Sequence, residues 1–241
     1  MKLKHTIMAL AAMAGSASAA TTIAFNFTEA WHAKTVQGEG SLFGTDQWTD
    51  SINVATATNG DVAANSTDLH AVTTPVGAAG VTVSWNSNNM FQAGDEGGAL
   101  ENQMFRRYLD DTTGITISLG GLSSWLAAEG ATTYTVTFFQ NSDVAANTFN
   151  EINLYDGIGT GGTLLENMAD QLSDGSGNGD GSRLIRSTTN AFSADSITFS
   201  SNRDGAQRAG VSGFIITTVP EPSSTALLGL GGLALILRRR K

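Results

Sequence analysis

The stretch Thr132-Thr-Tyr-Thr-Val-Thr-Phe-Phe-Gln140 gives the strongest strand signal in this chain. Tyr134, Val136 and Phe138 fall on one face of it, and Phe139 falls on the other. Alternation with a period of two is typical of a β-strand that buries one face against a core. The stretch therefore predicts a strand whose inward face carries Tyr134, Val136 and Phe138.

Shorter segments of similar character lie on both sides of this strand. Turn-forming residues separate them, which favours two packed antiparallel sheets over a helical fold. We expect Ile115–Leu119 to pair with Thr132–Gln140. The other predicted strands are Thr21–Phe27, Ser51–Thr56, Val81–Trp85, Phe149–Tyr155, Leu184–Arg186, Ser196–Phe199 and Gly213–Thr218.

Two short helical segments are predicted between these strands. Ala99–Leu109 places Leu100, Met104 and Tyr108 at every fourth position, which is the spacing of one helix face. Ser123–Ala128 is long enough for a single helical turn. The chain is therefore expected to be all-β with one or two short helices.

Both ends of the chain differ from the body in composition. Lys2 and Lys4 precede the apolar segment Thr6–Ala14, and Ala17-Ser18-Ala19 follows as a cleavage site of the A-x-A type. This order is typical of a secretory signal peptide over residues 1–19, removed by signal peptidase after Ala19. A membrane helix is the alternative, but the apolar segment is short and polar sequence follows it at once.

The C-terminal end has three parts. Pro220-Glu221-Pro222 precedes the uncharged run Ala226–Leu237, and four basic residues close the chain. As a helix, the 12 residues of the run would cover roughly 18 Å, against about 30 Å of membrane hydrocarbon. The run is therefore short for a permanent anchor. The basic residues, expected to stay in the cytoplasm, are Arg238, Arg239, Arg240 and Lys241.

This three-part order closely resembles the PEP-CTERM sorting signal of Gram-negative bacteria. The resemblance implies an exported substrate of exosortase, a membrane transpeptidase thought to cut near Pro220-Glu221-Pro222. It implies a precursor held in the inner membrane with its body in the periplasm, and later transfer to the cell surface or extracellular matrix. A plain membrane anchor that is never cut is the alternative.

The segments between the two signals resemble an uncharacterised exported domain that often precedes such tails. That resemblance implies a jelly-roll or galactose-binding-like antiparallel β-sandwich, with no established activity to carry over. We expect a signal peptide at 1–19, a sandwich domain at 20–218 and a sorting signal at 219–241 with a short transmembrane segment at 226–237. The matching pieces are Gly80–Asn89, Tyr108–Asp111, Gly121-Leu122, Tyr134–Phe139 and Arg208–Ile216.

The body is strongly acidic and contains no cysteine. Of 13 basic residues six lie in the two end segments, and of 22 acidic residues only Glu221 does. The body therefore keeps 7 basic and 21 acidic side chains, a net charge of −14. Nucleic-acid binding needs clustered Lys and Arg, so this charge argues against it. The lack of cysteine excludes thiol catalysis and cysteine-based zinc sites.

Candidate catalytic and metal-binding residues are few. His32 and His70 lie in polar sequence and are interpreted as surface histidines. Asp95-Glu96 and Asp110-Asp111 are adjacent acids, whereas a glycosidase needs two carboxylates about 5–10 Å apart across a cleft. Asp174–Ser182 begins like a calcium-binding loop but has Ile185 where the bidentate carboxylate belongs. We expect no catalytic residue, no resident cofactor and at most weak Ca²⁺ binding.

Three tryptophans leave a carbohydrate-binding role open. Trp31, Trp48 and Trp125 lie outside the inward pattern that contains Trp85, so they either stack on sugar rings or simply pack down. The favoured hypothesis is a non-enzymatic structural or binding component of the extracellular polysaccharide matrix. A carbohydrate-binding module with a specific glycan is the first alternative, and a glycoside hydrolase is the second.

Overall fold

Hydrogen-bonded strands make up most of the part of the chain that the structure describes. A computed structural model of the chain describes residues 19–28, 39–51, 65–71, 80–87, 89–92, 100–110, 114–142, 148–173, 182–201 and 210–221. The predicted signal peptide up to residue 18 and the sorting segment from residue 222 lie outside these residues. Neither helix of the described part is long and apolar enough to cross a bilayer.

The described strands are short, and two short helices lie among them. The helices are α1 (Leu100–Met104) and α2 (Leu122–Ala128). The strands are β1 (Thr22–Asn26), β2 (Trp48–Asp50), β3 (Asn65–Ala71), β4 (Thr82–Asn86), β5 (Asn89–Gln92), β6 (Arg107–Asp110), β7 (Ile115–Gly120), β8 (Thr133–Ser142), β9 (Thr148–Phe149), β10 (Ile152–Asp156), β11 (Leu164–Met168), β12 (Gln171–Leu172), β13 (Ser182–Ser187), β14 (Ile197–Ser201) and β15 (Gly213–Val219).

Two sheets face each other. Sheet I has the strand order β13-β8-β15-β1-β2, and sheet II has the order β11-β10-β14-β7-β4-β3. All pairings are antiparallel except that of β1 with β2, which is parallel. Two further ribbons pair β5 with β6 and β9 with β12. The predicted antiparallel β-sandwich with short helices is confirmed, with one parallel pair at an edge.

The space between the sheets holds the main core. Tyr134, Val136 and Phe138 of β8 are fully buried there, as the alternation predicts. The Phe138 ring meets Phe199 of β14 edge-on, with the ring centroids 4.6 Å apart. Sheet I and sheet II thus bury their inward rows against each other.

The expected pairing of Ile115–Leu119 with the strongest strand is wrong. β7 pairs with β14 and β4 in sheet II, whereas β8 pairs with β13 and β15 in sheet I. The reason is that α2 lies between β7 and β8 in the chain and carries it from one sheet to the other. The two apolar rows therefore face each other across the core instead of lying side by side.

Helix α2 covers one end of this core with Leu122, Trp125 and Leu126. It follows Gly121, whose φ of 78° is left-handed. A Cβ at this position would lie 2.1 Å from the carbonyl oxygen of Gly80, so only glycine fits. The predicted helical turn at Ser123–Ala128 is confirmed, one residue longer at its start.

A second apolar cluster covers part of the outer face of sheet I. Phe139 is as buried as Phe138, although it points to the opposite side. Its neighbours come from β1 and β15 beside it, from β2 and the turn before it, and from the segment around α1. They are Ala24, Leu42, Trp48, Met104, Phe105 and Ile215, with Phe43 at the edge. Sheet I is therefore apolar on both faces along part of its length.

The predicted helix over Ala99–Leu109 is wrong in its second half. Only α1 is helical, and Arg107–Asp110 forms strand β6. Tyr108 and Leu109 are both fully buried, and Leu109 exchanges backbone hydrogen bonds with Val211 at 2.9 and 3.2 Å. Pairing with β5 and Val211 outweighs the helical spacing of the apolar residues.

Other strand predictions differ in smaller ways. The strand expected at Ser51–Thr56 lies earlier, at Trp48–Asp50, and residues 52–56 lie outside the described part. Strand β11 was not predicted, because its sequence Leu-Leu-Glu-Asn-Met lacks alternation and, at the edge of sheet II, none of its side chains is fully buried. The single strand predicted at Phe149–Tyr155 is split at Asn150-Glu151 into β9, which pairs with β12, and β10, which belongs to sheet II. The remaining predicted strands are present within one to three residues of their expected ends.

Truncating Phe138 to Ala should destabilise the protein by about 3–5 kcal/mol, because a fully buried ring leaves a cavity between the sheets. Chemical denaturation monitored by circular dichroism measures this loss. Phe91→Ala is the matched control, since Phe91 is 41% exposed and should cost about 1 kcal/mol or less. Equal stabilities of the two variants would contradict the burial of Phe138.

Candidate functional site

The folded domain ends at the start of the predicted sorting motif. Strand β15 continues to Val219, which pairs with Thr133 of β8, and Pro220 and Glu221 follow exposed on the surface. Thr132 donates a hydrogen bond from Oγ1 to Oε1 of Glu221 at 2.6 Å. No linker therefore separates the motif from the sheet.

The other end of the body lies beside it. The Thr218 amide donates to the Thr21 carbonyl at 2.9 Å, and the Thr21 amide donates to Thr218 Oγ1 at 2.8 Å. Ala19 and Ala20, which flank the predicted signal cleavage site, are exposed immediately before this pair. We call the surface formed by Ala20, Thr21, Thr132, Thr218 and Glu221 the terminal pole. Both chain ends leave the domain there.

A cleft of about 410 Å³ opens at the terminal pole. Its walls are Ala20–Thr22, the segment Gly44–Gln47, and side chains that include Trp125 and Glu129. Asp46 is exposed and Glu129 is half-buried, so its rim is acidic. Trp125 itself is 2% exposed and presents no ring face to solvent.

A neighbouring groove of about 310 Å³ crosses the outer face of sheet I. Its lining combines Phe43, Ile185 and Ile215 with the hydroxyl side chains of Thr22, Thr137 and Thr217. The described residues that line it carry no charge. This groove offers apolar surface and hydroxyl groups side by side.

Phe43 lies in this groove although its backbone is in a left-handed conformation that bulky residues disfavour. Leu42 and Thr45 exchange two backbone hydrogen bonds around the two-residue turn Phe43-Gly44. The φ angles of the turn are +51° at Phe43 and +83° at Gly44, as in type I′ turns, where Asn-Gly is favoured. A bulky residue in this conformation costs of order 1–3 kcal/mol. Its ring lies 4.6 Å from that of Phe139 and stays half-exposed.

Two charged side chains on neighbouring edges of the two sheets, Glu166 on β11 of sheet II and Arg186 on β13 of sheet I, bind other parts of the domain. Glu166 of β11 accepts four hydrogen bonds, from the backbone and side chains of Thr189 and Asn190, at 2.8–3.1 Å. Partial burial raises the pKa of Glu166, but these four bonds outweigh it and hold the pKa below its ordinary value. The carboxylate thereby fastens the turn after β13 to the edge of sheet II.

Arg186 of β13 has a similar structural role. Its guanidinium donates to the carbonyl oxygens of Asn150 and Ala169 at 2.5 and 2.6 Å. Burial lowers the pKa of Arg186 to about 10, while the nearby Asp170 acts in the opposite direction. The side chain is still protonated near neutral pH and joins three segments.

Of the two alternatives for the tryptophans, packing inside the domain is the one found for Trp48 and Trp125. Trp48 and Trp125 are buried like Trp85, so none of these three rings can stack on a sugar. Trp31 lies outside the described residues.

Two contacts that matter at the terminal pole, Thr21 with Thr218 and Thr132 with Glu221, were missed because partners 197 and 89 positions apart leave no pattern in the sequence.

Most other candidate residues are beyond the described part. That holds for Ala17, His32, Asp95, Glu96, Asp111, Pro222, the segment 174–181 and the basic end Arg238, Arg239, Arg240 and Lys241. His70 lies in β3 and Asp110 in β6. Within the described ranges, no three or more His, Asp or Glu side chains are grouped so as to hold a metal ion.

Comparison with known families identifies the C-terminal end. Residues 218–241 match the PEP-CTERM protein-sorting motif. The chain therefore carries a PEP-CTERM motif, the mark of an exported protein that is sorted by exosortase. No curated protein matches the chain.

Two solved structures overlap with the body at low similarity. A family 32 carbohydrate-binding module from C. perfringens NanJ in complex with galactose has 9% identity and a TM-score of 0.31, covering 57% of this chain and 93% of that one. A calcium-binding mutant of Bacteroides uniformis beta-glucuronidase 2 has 12% identity and a TM-score of 0.35, covering 71% of this chain and 20% of that one. At such values we transfer neither ligand nor activity.

Proposed function

We propose that this protein is a non-enzymatic component of the extracellular polysaccharide matrix, released to the cell surface by exosortase cleavage near Pro220-Glu221-Pro222. The PEP-CTERM motif at residues 218–241 carries the proposal. The internal use of Glu166 and Arg186 supports a structural role for these charged groups rather than a catalytic one. An acidic body of net charge −14 also suits a soluble protein outside the cell.

The same proposal assigns a role to each part of the tail. The run Ala226–Leu237 holds the precursor in the inner membrane until the peptidase acts. Arg238, Arg239, Arg240 and Lys241 keep the end of the chain in the cytoplasm. Pro220 and Pro222 keep the cleavable stretch extended, because proline resists regular secondary structure.

A chain with both Pro220→Ala and Pro222→Ala should remain in the inner membrane as an uncut precursor. The recognition element is then lost while the hydrophobic run is intact, so deletion of exosortase should give the same result. Replacing Arg238–Arg240 by Ser should instead weaken retention. Mass spectrometry of surface material measures the outcome, and a mature protein that still carries Leu237 would leave an ordinary membrane anchor.

A glycan-binding function is the second candidate, and Phe43 favours it. Sugar-binding sites often combine an aromatic ring, which stacks on the C–H face of the sugar, with groups that hydrogen-bond its hydroxyls. The groove beside Phe43 supplies both, and its uncharged lining suits a neutral polysaccharide. Backbone strain retained at a surface turn is itself a reason to look for a function there.

Phe43→Asn separates ligand binding from packing. Asparagine relieves the backbone strain of the turn but removes the ring, so we expect a melting temperature within a few degrees of wild type and loss of binding to the purified matrix polysaccharide. Isothermal titration calorimetry measures binding, and Phe91→Ala is the control for an exposed ring outside the groove. Unchanged binding with a lowered melting temperature would mean that Phe43 only packs on Phe139.

A further inference from the structure

We propose that the terminal pole, with its acidic cleft, is a docking surface for the membrane peptidase that processes the tail. The proposal rests on the proposed function, because it needs a peptidase that cuts at the sorting motif. It adds that the peptidase recognises the folded body as well as the motif. The occupant we assign is the extracytoplasmic face of that enzyme, with basic side chains opposite the cleft.

Chain length makes contact at this pole unavoidable. Only six residues, Pro220–Thr225, separate the end of β15 from the apolar run. Fully extended, they span about 20 Å. A domain of this size is roughly 40 Å across. A peptidase that acts within this stretch at the membrane surface must therefore touch the terminal pole.

A contact between Glu221 and the domain shortens further the distance that these six residues can span. Thr132 holds the Glu221 carboxylate at 2.6 Å, so the first two residues of the stretch lie against the domain. Thr218 is 3% exposed and is tied to Thr21 on one side and Tyr134 on the other. The start of the motif is therefore presented in a fixed position relative to the pole, and not on a free peptide.

The cleft at the pole supplies shape and charge for such a contact. It lies beside the base of the tail, because Thr21 lines it and also bonds Thr218. Asp46 and Glu129 lie on its walls, and the exposed Glu221 emerges at the same pole. Complementary basic groups on the enzyme would orient the body as the motif enters the active site.

Two changes to the full-length precursor test the proposal in membranes that contain exosortase. One variant carries ten Gly and Ser residues inserted between Val219 and Pro220, which keeps the motif but frees it from the pole. The other carries Asp46→Asn with Glu129→Gln, which removes both charges of the cleft and changes the net charge by the same amount as Glu101→Lys. The readout is the rate of tail release at a substrate concentration well below saturation.

We expect both variants to be processed about tenfold more slowly than wild type, as for the loss of a favourable charged contact. Glu101→Lys is the matched control, since Glu101 is exposed on α1, which packs near Gly213 at the far end of β15, and this variant should keep the wild-type rate. Circular dichroism melts verify that each variant is folded.

The outcomes separate this proposal from the proposed function. A wild-type rate in either the lengthened chain or the cleft variant overturns docking at the terminal pole but leaves exosortase processing in place. A slow rate for Glu101→Lys equal to that of the cleft variant also overturns it, because the effect would then follow net charge alone. Absence of cleavage in the wild-type chain overturns both.

Discussion

The pairing of β1 with β15 in the middle of sheet I is the constraint on which the rest of the structure depends. The first and last strands of the domain match residue for residue, from Thr22 with Thr217 to Asn26 with Gly213. This pairing stacks Phe25 on Phe214, with the ring centroids 5.7 Å apart and the planes 10° from parallel. Because β15 also pairs with β8, sheet I is complete only when nearly the whole body has been made. The same pairing brings both chain ends to the terminal pole, so the position of the sorting motif follows from the fold.

The outer face of sheet I is divided into two parts, because the second apolar cluster covers only one end of it. Toward Gly213, the outer face lies under Trp48, Met104 and Phe105, which bury Phe139. Toward Val219, the same face carries the hydroxyl row Thr22, Thr217 and Thr135, which are paired across three strands. Phe43 lies at the boundary, where its ring packs on Phe139 and faces the groove. The first half is covered by other side chains, whereas the hydroxyl half stays half-exposed and is the surface that the proposed glycan binding would use.

The sequence predicted those features that depend on local pattern, namely the inward row of β8 and most other strands, including β1 and β15. It could not predict which strands pair, because alternation marks a buried face but not a neighbour; Ile115–Leu119 faces β8 instead of joining it. It also misjudged Tyr108, whose helical spacing from Met104 counted for less than the pairing of Tyr108 with Phe91 of β5 and of Leu109 with Val211. At the site, Pro220-Glu221-Pro222 was predicted from its own residues. The hydrogen bond from Thr132 to Glu221 and the packing of Phe43 on Phe139 depend on contacts between distant segments and were not predictable.

In this fold the sorting motif leaves the domain next to the domain's first residues. The chain has no cysteine, so nitroxide labels can be attached at Ala20→Cys and Val219→Cys without background. Electron paramagnetic resonance then measures the distance between them. We predict a single narrow distance of about 5–15 Å, set by the ~5 Å spacing of paired strands plus the arms of the labels. A broad distribution reaching toward the domain diameter of about 40 Å would contradict the pairing of β1 with β15 and the terminal pole built on it.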